Sequence, residues 1–449
     1  MRLRVNFLPI IVPYVFFFAL FPVYFAYHAL LTVDLLPPML GGGWSVFTVP
    51  GVLTLVPMVA LRSPNWRIHA PVLLLAAWVA LYAVVYFLLG AEWQRNPQLL
   101  LESFKLICAW GCLYAIGLLF RPSAVFTRAS LYALTAMAAI SLFLLDPAAL
   151  REGVATYLGF ATSVVFVAIF CLALVPQRTQ PIVLAVAVGA LFALGSRSDL
   201  LGFLLVMNLW LAIQLWHHRF ASAVTGAMLA LTGALFSAAW TDTLPDVLKP
   251  VPLELLEWEP AAVEKNAPSS APSAAPSAPG APKTAIAPAP PPKPKPKPKP
   301  EPKPPVAHTA TRNFELAEMS KSQSLQIRGE LMRKGWADIV SSPVLGVYGG
   351  QMRDPGGIFG HYVHNALSAW HQFGFVPFLI YLALCMASAL IAAGHILRGA
   401  TDPMWTLTLY VGAFTLLLAV GAKSIFWAMP ALAWGLLAAR RRQEPLALQ

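Results

Sequence analysis

Three basic side chains in polar stretches of this chain could bind a phosphate or move a proton. Arg197 lies in Gly195–Asp199, a polar interruption between two apolar runs, and Arg328 and His364 lie in the polar stretch 322–374. Guanidinium groups bind phosphate oxygens through paired, charge-assisted hydrogen bonds. An imidazole, with a reference pKa of about 6.5, can take a proton near neutral pH. The three residues together indicate chemistry on a phosphate-bearing substrate.

Further polar residues widen this set of candidates. Lys423 lies between the last two apolar runs, and His361 lies three residues before His364, so both could contact the same anion. A helix would place His361 and His364 together, which leaves a metal pair with Asp354 or His371 as an alternative. We nevertheless expect no metal and no cofactor. The four cysteines lie in apolar runs without histidine or carboxylate neighbours, and we interpret them as packing residues: Cys108, Cys112, Cys171 and Cys385.

The composition predicts a membrane protein. The 449 residues are 58% hydrophobic and only 11% charged, and the mean hydropathy is +0.66, whereas soluble domains carry about 25% charge. The apolar run after Met1-Arg-Leu-Arg is too long for a cleaved signal and is interpreted as the first membrane helix. The net charge of +11 falls in short loops and in one Lys-Pro tract, so we expect no nucleic-acid partner.

Apolar runs of spanning length predict an all-α integral membrane protein with about 12 transmembrane helices. The runs are 8–31, 45–61, 70–90, 102–120, 124–145, 154–176, 180–195, 199–216, 220–240, 374–397, 403–421 and 424–440. Arginines recur in every second connection, beginning with Arg2 and Arg4 and ending with Arg440, and the intervening connections hold fewer cations. This positive-inside pattern places both termini in the cytoplasm and residues 241–373 outside. We therefore predict helices 1–9 in residues 1–240, and helices 10–12 with a cytoplasmic tail in 374–449.

The large outer loop between helices 9 and 10 is predicted to be partly helical. Residues 266–305 are rich in Ala, Pro and Lys and cannot form a packed core, so we predict a disordered insertion, either a spacer or a tolerated loop. Residues 322–373 are predicted to form an active-site lid. A helix over 324–341 is expected there, capped by Ser322 or Ser324 and ended by Ser341-Ser342-Pro343. Its predicted buried stripe is Leu325, Met332, Trp336 and Ile339, with Arg328 on the same stripe.

The positions of the basic residues indicate which kind of phosphate compound this chain binds. The predicted topology places them on one membrane face, and a charge so close to the hydrocarbon region is a functional candidate. The sequence contains no P-loop, no Gly-rich dinucleotide fingerprint and no Gly-x-Ser-x-Gly elbow. A lipid-linked phosphate at the outer leaflet therefore fits better than a cytosolic nucleotide.

At these residues the chain resembles the O-antigen ligase and O-antigen polymerase superfamily of bacterial inner-membrane glycosyltransferases. The matching pieces are Ser196-Arg197 between two helices, then Arg328 with Trp336, Ile339, Pro343 and Gly346-Val-Tyr-Gly349, then His364-Asn365 followed by Gly374. The expected twelve spans, with a large periplasmic loop before the tenth, also agree with the family.

The resemblance implies transfer of a glycan from undecaprenyl pyrophosphate at the periplasmic face of the cell inner membrane. It is strongest to the ligases, whose acceptor is the lipid A core in lipopolysaccharide biosynthesis; in polymerases the acceptor is another undecaprenyl-linked repeat unit. It implies that Arg197 and Arg328 hold the pyrophosphate, with Lys423 and His361 as further candidates, and that His364 is catalytic in a metal-independent, inverting reaction. Membrane lipids are the other expected partners. A transporter of the lipid-linked glycan and a structural scaffold are alternatives from other classes.

Overall fold

The computed structural model describes residues 8–32, 35–36, 44–62, 66–145, 157–243, 323–353 and 363–447, and the side chains at some helix ends, 323–328 among them, lie outside that description. Over these residues the chain is helical and contains no strand. The helices are α1 Leu8–Phe18, continued by a π-helical turn Ala19–Val23 into α2 Tyr24–Thr32, then α3 Trp44–Arg62, α4 Trp66–Leu89, α5 Pro97–Leu119, α6 Ala124–Phe143, α7 Tyr157–Leu174, α8 Gln180–Leu194, α9 Arg197–Trp216, α10 Phe220–Thr243, α11 Gln323–Ser341, α12 Leu367–Phe373, α13 Phe375–Leu397, α14 Pro403–Gly421 and α15 Pro430–Ala447.

The prediction of an α-helical membrane protein is confirmed. Among the described residues, ten helices are long and apolar enough to cross a membrane. The apolar part of α7 that is described, Gly159–Leu174, is shorter, and α15 is not among the ten. Each of the twelve predicted runs overlaps a helix, because continuous apolar sequence of this length must satisfy its own backbone hydrogen bonds in lipid. The helix in the last run, 424–440, begins only at Pro430. A count of twelve spans, the orientation and the periplasmic placement of 241–373 stay predictions.

Polar residues at the helix ends determine where several helices begin. Asn96 precedes Pro97 and its side chain accepts a hydrogen bond from the backbone N–H of Gln98 at 2.9 Å. Asp402 precedes Pro403 and caps α14 in the same way. Proline suits the first helical position because its missing N–H has no partner there in any case. These caps fix the registers of α5 and α14.

The centre of the bundle is formed by α5, α7, α14 and α15. Every residue of α7 from Phe160 to Leu172 is buried, whereas α4, α9, α10 and α13 expose large apolar side chains on their outer faces. Helices α5 and α15 approach closely because glycine lies on both sides of the contact: a Cβ at Gly435 would lie 2.1 Å from the carbonyl oxygen of Tyr114. Small residues that let backbones approach are typical of helix pairs in membranes. All four cysteines are free and buried in this packing, as expected.

The lid helix forms where it was predicted, but part of its predicted buried face is wrong. Helix α11 runs from Gln323 to Ser341. Ile339 is buried, yet Trp336 is 48% exposed. Gly335 takes the central position instead, where a Cβ would lie 2.1 Å from Cγ2 of Val363. Gly335, the smallest residue, therefore lies at the centre of the buried face, because the segment that precedes α12 packs directly against the helix there.

Candidate functional site

A cavity of about 610 Å³ lies where several helix ends meet, and it is the candidate site. Its wall includes residues from the start of α3, from α5, from α7, from the first turn of α9 and from the connection between α14 and α15. His364 closes one side of it. Its polar lining residues are Ser45, Thr48, Glu102, Lys105, Thr162, Ser163, Ser198, His364, Lys423 and Ser424, and Trp44 and Trp427 add aromatic surface.

A buried carboxylate organises the wall on the α9 side. Asp199 is completely buried, and its Oδ1 accepts a hydrogen bond from Thr162 Oγ1 at 2.9 Å. Its Oδ2 accepts from Ser196 Oγ at 2.7 Å and lies 3.5 Å from Lys423 Nζ. Burying a carboxylate is costly unless it is hydrogen-bonded and paired. These contacts supply both conditions and tie α7, α9 and the α14–α15 connection together.

The lysines of the cavity are each paired with a carboxylate. Lys105 Nζ lies 2.7 Å from Glu102 Oε1 one turn earlier on α5, and both side chains are about one quarter exposed. Lys423 lies against Asp199, and its ammonium is 5.8 Å from the centre of the Trp427 ring. Both pairs leave the cavity with hydrogen-bond donors and acceptors but offset the charge of the lysines.

His364 is held beside the cavity by the lid. Val363 packs over Gly335 of α11, and Asn365 accepts a hydrogen bond from the backbone N–H of Leu367 at 3.0 Å. His364 itself lies in a bend, and α12 begins three residues later at Leu367. His361 lies outside the described residues, so its pairing with His364 stays a prediction.

Helix α11 is tied to α12 by a second polar cluster. His371 Nε2 lies 2.9 Å from Asp338 Oδ2, and Arg353 donates to Asp338 Oδ1 at 3.0 Å. The side-chain amide nitrogen of Gln372 lies 2.7 Å from His371 Nδ1, so both ring nitrogens of His371 have a polar partner. Burial alone would raise the pKa of Asp338, but the hydrogen bond and charge of His371 and the charge of Arg353 outweigh it and hold this pKa below its usual value of 3.8.

Glycine turns allow this part of the lid to pack against the start of α13. Gly346 has φ of +69°, and a Cβ there would lie 2.3 Å from the carbonyl oxygen of Trp370. The backbone N–H of Val347 donates to the carbonyl of His371 at 2.6 Å, and Tyr348 is buried with its hydroxyl 3.0 Å from Ser103 Oγ. The predicted tight turns at Gly346 and Gly349 are present.

The structure brings some of the predicted site residues together and leaves others undescribed. His364 and Lys423 line one cavity, together with Ser198, the residue after Arg197. Arg197 is the first residue of α9 and is partly buried. Ser196 is the N-cap of this helix, and Asp199 turns toward Thr162 and Lys423. Arg328 lies within α11, but its side chain, like all of His361 and Asp354, is outside the described residues.

Sequence reasoning missed several residues of the site. Asp199 follows Arg197 by two positions, and a carboxylate in the first turn of an apolar helix is itself a signal of a functional or paired group. Glu102 and Lys105 have ion-pair spacing on α5. Asp338 could not be recognised, because its partners His371 and Arg353 lie on other segments.

Comparisons of this chain with protein-family models, with curated proteins and with solved structures find no match. The resemblance to the O-antigen ligase and polymerase superfamily therefore rests on the residues quoted above.

Proposed function

We propose that this protein is a glycosyltransferase of the O-antigen ligase type. It would move a polysaccharide from undecaprenyl pyrophosphate to a sugar of the lipid A core, at the periplasmic face of the bacterial inner membrane. The observation that carries the proposal is the single cavity on which His364, Lys423 and Ser198, the neighbour of Arg197, converge from three distant parts of the chain. The reaction requires no resident cofactor or metal ion, because the donor already carries a good leaving group.

The reaction forms one bond and breaks one. The hydroxyl oxygen of the acceptor sugar attacks the anomeric carbon of the donor, and the bond from that carbon to the phosphate oxygen breaks. The bonding electrons leave with undecaprenyl pyrophosphate, and the hydroxyl proton passes to the imidazole of His364. Attack opposite the leaving phosphate inverts the anomeric carbon. General-base assistance of this kind is worth about 10²–10⁴-fold.

The pairing of the cavity's lysines supports the two arginines as the chief pyrophosphate-binding residues. Lys105 and Lys423 are each paired with a carboxylate, so their charges are already offset. Arg197 at the start of α9 and Arg328 in the lid helix would supply the bidentate contacts that phosphate favours, each worth about 1.5–3 kcal/mol. One of the two arginines belongs to α9 of the bundle and the other to α11.

The lid gives His364 a defined place relative to the bundle. The backbone of the lid is joined to α13 by the hydrogen bond from the N–H of Phe375 to the carbonyl of Val344 at 3.0 Å. It is joined to the α14–α15 connection by the hydrogen bond from the N–H of Ile425 to Ser368 Oγ at 2.7 Å. A catalytic base needs such fixed positioning, since misplacement of about 1 Å can cost 10²-fold in rate.

The test is transfer from a defined undecaprenyl-pyrophosphoryl glycan to purified lipid A core by the purified protein in phospholipid vesicles. Arg197→Ala, Arg328→Ala and His364→Ala should each abolish transfer while the protein still inserts in the membrane. Arg333→Ala is the matched control for Arg328→Ala, because Arg333 is an exposed arginine on the same helix. Full transfer by His364→Ala would overturn the assignment of the base.

The nature of the product separates the ligase from the polymerase. A ligase transfers the glycan to lipid A core and leaves a single undecaprenyl-linked repeat unit unextended. A polymerase extends the undecaprenyl-linked repeat unit and ignores the core. Absence of both products with an intact, inserted protein would contradict the proposed function as a whole.

A further inference from the structure

Helix α11 has three distinct faces over its second half. The face toward the protein holds Gly335 and Ile339, both buried. The exposed surface is divided in two, since successive helical residues are turned by about 100°. Trp336 and Val340, 48% and 62% exposed, form one side of it, whereas the exposed residues Glu330, Lys334 and Ser341 form the other.

The apolar side continues into the turn that follows the helix. Val344 and Leu345 are 69% and 53% exposed, although they belong to a segment that is polar overall. Four large apolar side chains thus share one exposed surface on 336–345. Exposed apolar patches of this kind mark a surface that is covered by something other than water.

Contacts with α4 fix the depth of this turn relative to the membrane helices. The hydroxyl of Tyr82 donates to the carbonyl of Leu345, and Trp78 Nε1 donates to the carbonyl of Phe373 at 3.3 Å. Helix α4 continues seven residues beyond Tyr82 to Leu89, roughly 10 Å at about 1.5 Å per residue. Leu88 and Leu89, near the end of α4, are exposed and apolar. The lipid-facing surface of α4 therefore extends beyond the point at which the turn is bound to Tyr82.

The surface is also continuous with the lipid-facing side of α13. The carbonyl of Val344 accepts the hydrogen bond of Phe375, the first residue of α13. Phe375, Val376 and Leu379 are exposed on that helix, which is one of the helices apolar enough to cross the membrane. The exposed apolar residues of the turn therefore adjoin the exposed apolar surface of α13.

We propose that residues 336–345, here termed the interfacial segment, lie in the boundary between phospholipid headgroups and acyl chains. Trp336, Val340, Val344 and Leu345 contact acyl chains there. Arg333 lies one turn before Trp336 and is exposed. Tryptophan and arginine are favoured at this depth of a bilayer.

This placement does not depend on the proposed function, but it has a consequence for it. A lid helix held at the headgroup level lies beside the phosphates of membrane lipids, and Arg328 belongs to this helix. The donor of the proposed reaction is a lipid-linked pyrophosphate, so the bilayer itself would fix the height at which the lid receives it.

The test measures the accessibility of single spin-labelled cysteines in phosphatidylcholine/phosphatidylglycerol nanodiscs. The labelled variants are Val340→Cys and Val344→Cys, with Ser341→Cys as the neighbouring control on the polar side of α11 and Leu379→Cys as the lipid-facing control. The four native cysteines are buried and do not compete for the label.

We expect the labels at 340 and 344 to collide with dissolved oxygen and to be protected from a water-soluble nickel chelate, as at 379. The label at 341 should show the opposite. Labels at both 340 and 344 that collide freely with the nickel chelate would overturn the proposal. Protection from both reagents would overturn it as well, since it would mean that protein covers the surface.

Discussion

The ammonium of Lys423 lies 3.5 Å from the carboxylate of Asp199, which is completely buried between α7 and α9. Lys423 comes from the connection between α14 and α15, so this pair joins two parts of the chain that are 224 residues apart. Because Lys423 also lines the cavity, the pair could serve stability, catalysis or both. A double-mutant cycle separates these contributions.

Asp199→Asn and Lys423→Met should each destabilise the protein by about 3–5 kcal/mol, because each leaves the other charge buried and unpaired. The double variant should recover most of that loss, since no buried charge remains. Thermal unfolding in detergent measures all four proteins. If the loss of stability in the double variant equals the sum of the two single losses, the interaction between Asp199 and Lys423 is contradicted. Recovery of stability without recovery of glycan transfer would assign a direct role to Lys423.

Because Asp338 is paired with His371 and Arg353, we expect the stability of the lid to fall at acid pH. The pKa of Asp338 is lower in the folded protein than its usual value of 3.8. The ionised carboxylate therefore contributes its full stabilisation above that usual value, and the contribution is lost as the pH falls through the lower, folded pKa. Asp338→Asn should weaken the lid by about 1–3 kcal/mol at neutral pH and by much less once the pH is below the folded pKa of Asp338. Limited proteolysis of the lid across pH measures this.

Glu330→Gln, on the exposed side of the same helix, is the control; equal sensitivity of both variants would contradict the prediction.

The contact of Gly335 with Val363 should behave as a compensating pair. Gly335→Ala places a Cβ 2.1 Å from Cγ2 of Val363, so α11 must move away from the segment that carries His364. We expect the free energy of unfolding to fall by about 1–3 kcal/mol, with reduced glycan transfer if the proposed role of His364 is right.

Val363→Ala removes the clashing methyl group and should restore the stability of Gly335→Ala. Gly329→Ala in the same helix has no described atom within 4 Å and should be neutral. Failure of Val363→Ala to rescue would show that the two segments do not pack as described.

The crossing of α5 and α15 should tolerate no side chain at Gly435. A methyl group there would meet the carbonyl oxygen of Tyr114 at 2.1 Å, and the backbone of a buried helix cannot yield as a flexible side chain can. Gly435→Ala should lower the unfolding temperature, with a cost of about 1–3 kcal/mol. Gly394→Ala is the matched control, because no described atom lies within 4 Å of that position. An unchanged unfolding temperature in Gly435→Ala would contradict the close crossing.

The features that sequence predicted well are local ones. Apolar runs of spanning length predicted the helices, since each helix in lipid must satisfy its own backbone. The extent of α11 followed from Ser341-Ser342-Pro343 at its end. The exposure of Arg333 and Lys334 was likewise predictable, because both fall off the apolar stripe.

The features that sequence did not predict depend on contacts between distant segments. Periodicity placed Trp336 on the buried face of α11, but Val363 and His371 arrive from more than 25 residues later and select Gly335 and Asp338 instead. Trp336 is then left on the exposed apolar side. The role of Asp199 was hidden for the same reason, because its partners Thr162 and Lys423 are remote in sequence.

The contact of Gly117 and Gly435 constrains the order in which the protein can be assembled. The two residues are 318 positions apart, and at about 5–20 residues per second their synthesis is separated by roughly 15–60 s. Helix α5 is therefore inserted long before α15 exists, and the backbone groove that receives Gly435 stays open to lipid during that time. A nascent chain interrupted in this interval would expose the groove to chaperones and membrane proteases, so completion of this helix pair waits for α15 to leave the ribosome.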